Sequence, residues 1–387
     1  MAIPVGLVLA FVLTTAGAYA AVGSPFDGGG EHELAAACRS DSCGRHEPST
    51  EPAPSAESPR RHLRQSHPPA GVGKSPTPKN TVGSNGTEFA PYVDLLQYPA
   101  VDLLAVRSAG IKHLNLAFIV AGDDCTPSWG GSTSLTNASI KSRVAAYRAA
   151  GGSVRISFGG ESGTELASAC SSADELASAY QSVIDAFSVS KLDFDVEGGA
   201  LSDTEANDRR SRAIAILQRT ASSAGKTLDV SVTLPVNPNG LTSGGVSLLN
   251  SAASNGATIH AVNVMAMDFG ESAAPDPDGK MGYYAIQSMK GTQSQVKSAF
   301  GLSSSEAWSR VAVTTLIGVN EPSTEVFTES DARQLTSFAR SVGAAWVSMW
   351  QIARDQPCDD GNEANATSDS CAGSSDTKYD FAKAFLA

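Results

Sequence analysis

Three carboxylates stand at every second position of an otherwise apolar segment: Asp193, Asp195 and Glu197. Successive side chains of an extended strand point to opposite faces, so the three acids share one face and the apolar residues between them share the other. Burying an unpaired carboxylate is costly, so such a row persists only where acids share protons, bind a metal ion or line a polar cleft. The pattern therefore indicates a site of chemistry.

Three interpretations of the acid row compete. A solvated face of an edge strand is disfavoured by the apolar opposite face and by Gly198 and Gly199, which suit a strand that ends at a cleft. A magnesium or calcium site is disfavoured because no nearby pattern supplies the remaining oxygen ligands. The third interpretation is that neighbouring carboxylates raise each other's pKa, so that Glu197 acts as a general acid near neutral pH. We favour the third and expect no metal and no organic cofactor.

The elements that position this row alternate between strand and helix. Apolar runs of strand length are followed by amphipathic stretches of helical length, and strict alternation over eight pairs predicts an α/β fold of the (β/α)8 TIM-barrel type. An open doubly wound sheet is the alternative, but no Gly-rich phosphate loop follows the first strand. The predicted strands are 89–93, 113–120, 153–158, 191–196, 228–234, 261–267, 311–316 and 346–350. The helices include 140–150, 172–187, 202–223, 330–342 and 379–386.

Reactive groups of a TIM barrel lie at the C-terminal ends of its strands. The acid row ends the fourth predicted strand, and three further marked segments end the third, sixth and eighth. These segments are 157–160, 265–268 and 349–351. We expect all four to converge on one mouth of the barrel.

At this point the chain resembles glycoside hydrolase family 18, the family of chitinases and endo-β-N-acetylglucosaminidases. Ser157, Gly159 and Gly160 match the family's Ser-x-Gly-Gly mark on the third strand. The acid row matches the alternating carboxylates of its Asp-Gly-x-Asp-x-Asp-x-Glu mark, although Ser190 and Lys191 replace the leading Asp-Gly. The resemblance extends over about residues 87–387.

Two further segments carry the same resemblance. Met265 and Asp268 match the family's Met-x-Tyr-Asp mark, with Met267 where Tyr is usual. Trp350 stands where family members place the Trp that floors the sugar site. Segments 89–94, 125–131 and 348–350 further resemble a secreted, mostly bacterial subgroup that lacks an α+β insertion. The short spacing of the sixth to eighth strands leaves no space for that insertion, and a shallow, open cleft suits internal cleavage of a chain.

The resemblance implies a chitinase that cleaves β-1,4 bonds between N-acetylglucosamine units with retention, in which the substrate's own acetamido oxygen attacks C1. Glu197 would be the acid and base, and Asp195 would hold the acetamido N–H. Asp193 would share a proton with Asp195, and Asp268 would add charge and a hydrogen bond. The alternatives are an endo-β-N-acetylglucosaminidase acting on N-glycans and a catalytically silent chitin-binding lectin.

Further residues are candidates for supporting roles. The resemblance implies that Trp350 and Met267 contact the substrate, and Gln351, Trp129 and Asn320 are added because they lie in loops or at strand ends that face the expected mouth. Because Met267 cannot donate the hydrogen bond of a Tyr hydroxyl, we expect either that Tyr283, Tyr284, a neighbouring residue from another loop or water replaces it, or that turnover is slow. The candidates for structural support of the site are Ser157, Gly159, Gly160 and Met265.

Composition and charge set the context. The chain has 387 residues and a formal net charge of -12, which argues against nucleic acid or an anionic membrane as the main partner. We expect a monomer that acts on chitin or N-acetylglucosamine oligosaccharides. Residues 1–20 read as a secretory signal, 21–85 as a Cys-bearing tail and Pro/Ser-rich linker, and 86–387 as the barrel. The protein is therefore expected to be secreted and extracellular.

Six cysteines are expected to pair in an exported protein. Sequence order suggests Cys125 with Cys170, Cys358 with Cys371, and Cys38 with Cys43, although other connectivities remain open. Three sequons would accept N-glycans in a eukaryotic secretory pathway, at Asn85, Asn137 and Asn365.

Overall fold

Parallel strands form the centre of the molecule, and the computed structural model describes them within residues 87–359 and 368–387. The strands are β1 (Glu88–Phe89), β2 (Tyr92–Asp94), β3 (His113–Ala121), β4 (Pro127–Trp129), β5 (Thr133–Ser134), β6 (Ser153–Gly159), β7 (Lys191–Asp195), β8 (Asp229–Asn237), β9 (Gly240–Leu241), β10 (Ala261–Met265), β11 (Val311–Leu316), β12 (Gly318–Val319), β13 (Val326–Phe327) and β14 (Trp346–Trp350). The parallel neighbours run in the order β1-β14-β11-β10-β8-β7-β6-β3-β2.

The sheet closes on itself through its first strand, which is split in two. β1 pairs with β14, whereas β2 pairs with β3 on the other side. Pro91 lies at the break and has no N–H to contribute to a ladder. The carbonyl oxygens there accept from Asn115, whose backbone N–H lies 2.9 Å from Pro91 O and whose Nδ2 lies 2.8 Å from Ala90 O. Counting β1 and β2 as one, eight parallel strands form the predicted TIM barrel.

Helices cover the outside of the barrel. They are α1 (Leu103–Ser108), α2 (Ala138–Ala149), α3 (Leu166–Ala169), α4 (Ala173–Phe187), α5 (Gly198–Ser202), α6 (Thr204–Ser223), α7 (Ser243–Ser254), α8 (Met281–Phe300), α9 (Ser304–Trp308), α10 (Glu329–Val342) and α11 (Asp380–Leu386). Capping residues explain why the predicted helix starts were close. Ser172 accepts the N–H of Glu175 at the start of α4, and Thr328 and Asp331 form a capping box at the start of α10.

Two predicted strand ends were wrong. β8 continues to Asn237, three residues beyond the predicted end. β10 stops at Met265, so the sequence prediction of a strand through Met267 was too long. After Met265, the Ala266 N–H donates a hydrogen bond to Thr314 O. Asp268 then has a left-handed conformation, with φ 48°, which does not occur within an extended strand.

The apolar face of the acid strand packs into the layer between barrel and helices, as its alternation predicted. Phe194 stacks on Phe158 with ring centroids 5.1 Å apart, and both rings contact Tyr180 of α4. Leu192 and Val196 are also fully buried. The helix-facing side of β7 is therefore held by packing, and this keeps its carboxylates facing the barrel interior.

Both disulfides expected within the described residues are present, Cys125–Cys170 and Cys358–Cys371. Residues 317–345 hold only the β12–β13 hairpin and α10, so this stretch contains no α+β insertion. Asn137, one of the three predicted N-glycan acceptors, is the N-cap of α2, where its side chain accepts the N–H of Ile140. No helix in 87–359 or 368–387 is long and apolar enough to cross a membrane.

Several predictions concern residues outside the described ranges. They are the signal (1–20), the tail and linker (21–85) with Cys38 and Cys43, and the sequons at Asn85 and Asn365.

Candidate active site

Strand register builds the floor of the site. Ser157 of β6, Asp193 of β7 and Ser231 of β8 are direct neighbours across the parallel ladder. Asp193 is fully buried, and its Oδ2 accepts from Ser157 Oγ at 2.7 Å and from the Tyr92 hydroxyl at 2.9 Å. Ser231 and Thr233 also donate to its carboxylate. Four hydroxyl groups therefore satisfy both oxygens of Asp193 and fix its orientation.

Asp195 lies two residues further along the same face and is also buried. Its Oδ1 has no hydrogen-bond partner within the described residues. Burial raises the pKa of Asp195 well above its usual range, and the charges of Glu197 and Asp193 add to the effect. No hydrogen bond joins Asp193 to Asp195 in the described chain, so their shared proton stays a prediction. An unpartnered buried oxygen is a position where a ligand N–H fits.

Glu197 follows the end of β7 and is half-buried. Burial raises the pKa of Glu197 to about 7, and the negative charge of Glu161 contributes further. The sequence led us to expect that the acid row causes this shift, whereas burial is the main cause and Glu161, from the loop after β6, was not anticipated. A carboxyl group with this pKa can be protonated when it meets a substrate at neutral pH and ionised afterwards.

The reactive groups share one cavity of about 650 Å³ at the C-terminal ends of the strands. Asp195, Glu197 and Asp268 line it, together with Met265, Met267 and Trp350. The expected convergence of the acid row with the ends of the sixth and eighth barrel strands is therefore observed. Met265 lines the cavity directly rather than only supporting it from behind.

The loop that carries Asp268 is held by two buried residues. The Asp268 N–H donates to Asn320 Oδ1 at 3.2 Å, and Asp268 Oδ1 accepts the Glu321 N–H at 2.7 Å. Glu325 accepts the N–H groups of Phe269 and Gly270. Burial raises the pKa of Asp268. Asn320 is itself buried and does not line the cavity, so its predicted substrate contact is wrong and it positions Asp268 instead.

An aromatic pair forms one wall of the cavity. The Trp350 ring stacks on Phe118 with centroids 5.4 Å apart and planes 15° apart. Phe118 lies within an irregularity of the β3–β6 register, between Leu116 and Ile119, and faces the cavity. A Cβ at Gly160, where φ is +85°, would lie 2.7 Å from the Phe118 ring. Gly160 therefore leaves the space that this ring occupies.

Gly159 has a comparable role beside the acid strand. Its φ is +89°, and a Cβ there would lie 2.0 Å from the backbone oxygen of Asp195. That same oxygen accepts the Gly160 N–H at 3.2 Å. Ser157 thus contacts Asp193 through its hydroxyl group. The backbone at Gly159 passes close to the Asp195 carbonyl oxygen, and the backbone at Gly160 passes close to the Phe118 ring.

Two predicted substrate contacts, Trp129 and Gln351, do not reach the cavity. Trp129 is fully buried on β4 and packs edge-on against Phe187 at 5.5 Å. Gln351 is fully buried, and its Oε1 accepts the Asp94 N–H at 3.0 Å. A position near the end of a strand fixes where a residue lies along the barrel axis, but it does not fix the direction in which the side chain points. Both predictions were wrong for this reason.

Tyr283 and Tyr284 do not replace the missing Tyr hydroxyl either. Both lie in the first turn of α8, and their rings contact each other edge-on at 5.5 Å. The Tyr284 hydroxyl donates to Asp276 O, and neither residue lines the cavity. The pocket therefore presents the Met267 thioether where a hydroxyl was expected.

Sequence reasoning missed several residues of the site: Tyr92, Phe118, Glu161, Ser231 and Thr233. Ser231 and Thr233 alternate with apolar residues on β8, so the period that revealed the acid row also marks them. Asn263 extends this polar interior by donating to Tyr92, Thr233 and Thr314. Glu161 follows the Ser-x-Gly-Gly segment, and no periodic signal marks it.

No family model matches the chain. It is 35% identical over 277 residues to the probable bifunctional chitinase/lysozyme of Escherichia coli K12, a match covering 70% of this chain and 31% of that protein. It is 34% identical over 275 residues to endochitinase 11 of Metarhizium anisopliae, covering 70% and 52% respectively. The chain thus spans less than two thirds of the length of either curated relative.

A solved structure is similar over most of its length. The catalytic domain of a hyperthermophilic chitinase from Pyrococcus furiosus is 30% identical with a TM-score of 0.68, and the match covers 78% of this chain and 94% of that one. Catalytic-site mutants of a chitinase domain from the same organism, complexed with chito-oligosaccharides, are equally similar.

Proposed function

Because the chain belongs to glycoside hydrolase family 18, the family of these chitinases, we propose that it is itself a chitinase that hydrolyses β-1,4 bonds between N-acetylglucosamine units. One observation carries the proposal. A buried carboxylate with an unpartnered oxygen, Asp195, lies two residues from a carboxyl group, Glu197, whose pKa is raised to about 7. This pairing fits a substrate that brings both an N–H donor and an oxygen to be protonated.

The reaction begins when Glu197 donates its proton to the glycosidic oxygen. The carbonyl oxygen of the substrate's 2-acetamido group attacks C1, the bond from C1 to the leaving sugar breaks, and a cyclic oxazolinium ion forms. Ionised Glu197 then takes a proton from water as that water attacks C1 and opens the ring. Two inversions at C1 give net retention, and no protein nucleophile is required.

Asp195 directs the acetamido group in this mechanism. Its free Oδ1 accepts the acetamido N–H, which aims the carbonyl oxygen at C1 and stabilises the positive charge of the oxazolinium ion. Asp193, held by its hydroxyl partners, lies behind Asp195 on the same face of β7. Asp268, on the cavity wall, adds a further acceptor for the same sugar.

Trp350 provides the apolar face on which the pyranose ring rests. The cavity is open, without the α+β insertion that deepens other grooves, and this supports internal cleavage of a chain. Met267 offers no hydroxyl to the acetamido oxygen. We therefore propose that water fills this role and that turnover is modest.

The test is product analysis of purified protein with the fully acetylated chitin hexamer, beside Glu197→Gln. Shorter oligomers from the wild type and none from the variant are expected, with β-anomeric products in early proton NMR spectra. Binding of the hexamer without cleavage by either protein would instead favour a silent chitin-binding lectin. Release of N-glycans from a glycoprotein, without hexamer cleavage, would favour an endo-β-N-acetylglucosaminidase.

We also propose that the protein is secreted and acts as a monomer. The apolar segment within residues 1–20, followed by small residues at Ala18 and Ala20, supports export. N-terminal sequencing of the protein from culture medium tests cleavage after this segment, and light scattering tests the monomer. An intracellular product that keeps residue 1 would contradict the export proposal.

A further inference from the structure

The methionines of the chain fall into two groups by their exposure to solvent. Five of the six lie in the described residues. Met281, Met289 and Met349 are fully buried, whereas Met265 and Met267 are partly exposed. Both exposed side chains line the cavity of about 650 Å³ that holds the reactive carboxyl groups. In the described part of the chain, every methionine that solvent can reach therefore lies in the candidate active site.

The backbone fixes both methionines at the cavity. Met265 ends β10, where its register partners are Thr314 of β11 and Pro235 of β8. Ala266, the next residue, is buried, and its N–H donates to Thr314 O, which holds this stretch against β11. Met267 follows on the other side of Ala266 and faces the same cavity. The two thioethers are therefore held at defined positions next to the substrate site.

Thioether sulfur reacts with peroxides to give a sulfoxide, and thiols are its usual competitors. In residues 87–359 and 368–387 all four cysteines form disulfides, so no thiol of these ranges competes. Hydrogen peroxide is little larger than water, and a cavity of this volume holds many water molecules. A peroxide that enters the cavity therefore meets the two most accessible sulfur atoms of the described chain.

We propose that Met265 and Met267 form a modification site for peroxides, at which conversion of a thioether to its sulfoxide switches off the cavity. A sulfur lone pair attacks one peroxide oxygen, the O–O bond breaks and an S–O bond forms. The other oxygen of hydrogen peroxide leaves as hydroxide, takes the proton of the transferred oxygen and becomes water. The sulfur is oxidised and the peroxide is reduced, so the step needs no further reactant.

The cavity offers a new hydrogen-bond acceptor few donors. No Lys, Arg or His is among the described residues that line it. The hydroxyl groups of Tyr92, Thr233 and Thr314 line it but already donate to buried Asp193 and Asn263. Most of the other polar groups on the wall are carboxyl groups, those of Asp94, Glu161, Asp195, Glu197, Asp268, Glu321 and Asp369. A sulfoxide oxygen, which accepts hydrogen bonds and donates none, therefore lacks a strong partner in the wall.

The loss of activity follows from where this oxygen lies, and this step rests on the proposed function. Met267 stands beside the position of the acetamido carbonyl oxygen, which must approach C1. An oxygen on the Met267 sulfur would oppose that carbonyl oxygen and compete for the water that we propose holds it. An acceptor conflict of this kind should lower kcat/KM at least about fivefold.

The first experiment maps the oxidation and does not depend on activity. Purified protein is treated with graded hydrogen peroxide, quenched with free methionine and digested with trypsin. Cleavage after Lys and Arg places the cavity pair in peptide 227–280 and the buried methionines in peptides 281–290 and 341–354. Peptide 227–280 should gain oxygen first, because buried sulfur atoms react only when the fold opens. Equal oxidation of all three peptides, or none in 227–280, would overturn the inference.

Leucine variants then link the modification to activity. Met267→Leu, alone and combined with Met265→Leu, removes sulfur from the cavity at nearly constant volume. Met289→Leu is the matched control, because it removes a buried sulfur from α8. Each protein is assayed on chitin hexamer before and after the same treatment, and only the ratio of the two rates is compared.

That ratio should fall at least about fivefold for the wild type and for Met289→Leu, and it should stay near one for the double variant. An equal fall in every protein would place the damage elsewhere and overturn the switch. Treatment with two methionine sulfoxide reductases, one for each epimer of the sulfoxide, should restore both the mass and the activity of the wild type.

The same peptides separate this inference from the proposed function. Chitin hexamer bound to Glu197→Gln should slow the oxidation of peptide 227–280, because the ligand fills the cavity. Oxidation confined to 227–280 in a protein that neither cleaves nor binds the hexamer would overturn the chitinase proposal and leave the modification site standing. Hexamer cleavage by a protein whose peptide 227–280 resists oxidation would overturn the inference alone.

Discussion

Glu197 sets the pH range of the proposed reaction. Its proton is needed for the first step, and burial with the charge of Glu161 raises its pKa to about 7, so kcat/KM should fall as the pH rises through about 7. Glu161→Gln removes the negative charge and lowers the pKa of Glu197. The basic limb of the kcat/KM profile on chitin hexamer should therefore move to lower pH by a few tenths of a unit.

The control for this prediction is Asp185→Asn, which makes the same change in net charge far from the cavity. Its pH profile should overlay that of the wild type. A basic limb that stays in place in Glu161→Gln would show that burial alone sets the pKa of Glu197.

Met267→Tyr should raise kcat severalfold, because a hydroxyl group would hold the acetamido oxygen in the attacking position. The measurement is kcat and KM on chitin hexamer for Met267→Tyr beside Met267→Phe, which adds a ring of similar size without the hydroxyl. A gain shared by both variants would assign the effect to packing. Loss of activity in both would mean that the pocket is built around the thioether.

The alternation of side chains along an extended strand located the reactive row correctly, because this alternation depends only on backbone geometry. Asp193, Asp195 and the apolar residues between them face the sides that the alternation predicted. Trp129, Gln351 and Asn320 could not be placed in this way, since each lies where a turn or an added strand decides the direction of the side chain. Their burial depends on neighbours from distant parts of the chain.

At the level of elements, strands and helices were predicted well where local signals set their ends. Ser172 and Thr328 cap helices that begin within one residue of the predicted start. The two strand ends that were wrong are set by contacts with other segments. β8 extends to Asn237, where it pairs with β9, and the Asn320 contact with Asp268 holds the chain away from the line of β10.

The attachment of α11 gives an element-scale prediction. This helix has no side-chain cap of its own, and buried Asp355 accepts the N–H groups of Phe381 and Ala382 at 3.0 and 2.8 Å. Asp355→Ala leaves these donors unsatisfied and should lower the free energy of unfolding by about 1–3 kcal/mol. Urea unfolding measures the loss, and Asp376→Ala, an exposed Asp in the segment before α11, should change it by less than about 0.5 kcal/mol.

The same carboxyl group predicts a pH effect with a defined sign. Burial raises the pKa of Asp355 from 3.8 to about 6, so between these values the folded protein holds a proton that the unfolded chain has lost. This contribution to stability is complete below the unfolded pKa and disappears as the pH rises through about 6. Compared with Asp355→Asn, the wild type should therefore lose stability over that range. A parallel pH dependence in both proteins would contradict the assignment.

For the whole molecule, the barrel was predictable because eight strand–helix pairs repeat along the chain. The acidity of the cavity was not, because Asp94, Glu161, Glu321 and Asp369 come from four separate segments. Each is an ordinary loop acid in the sequence. Their common wall exists only after closure brings the C-terminal ends of the strands together.

The two disulfides should stabilise the whole fold unequally. Cys125–Cys170 spans 45 residues and Cys358–Cys371 spans 13, so the first removes more freedom from the unfolded chain. Replacing each pair by alanine should lower the free energy of unfolding by about 4 and about 3 kcal/mol respectively. Denaturant unfolding of the two double variants measures both losses, and the reverse order would show that native packing around the sulfur atoms dominates.

The pairing of β1 with β14 has a consequence for the order in which the molecule is made. The ribosome makes the first strand before the other strands of the barrel, whereas its partner at residues 346–350 follows all of them. Throughout that interval the growing sheet has two unpaired edges, the kind of surface on which nascent chains associate with one another. The four hydroxyl groups that hold Asp193 all lie between residues 92 and 233. The floor of the site is therefore translated long before β14, and a chain that stops short of β14 carries the reactive acids on an open sheet.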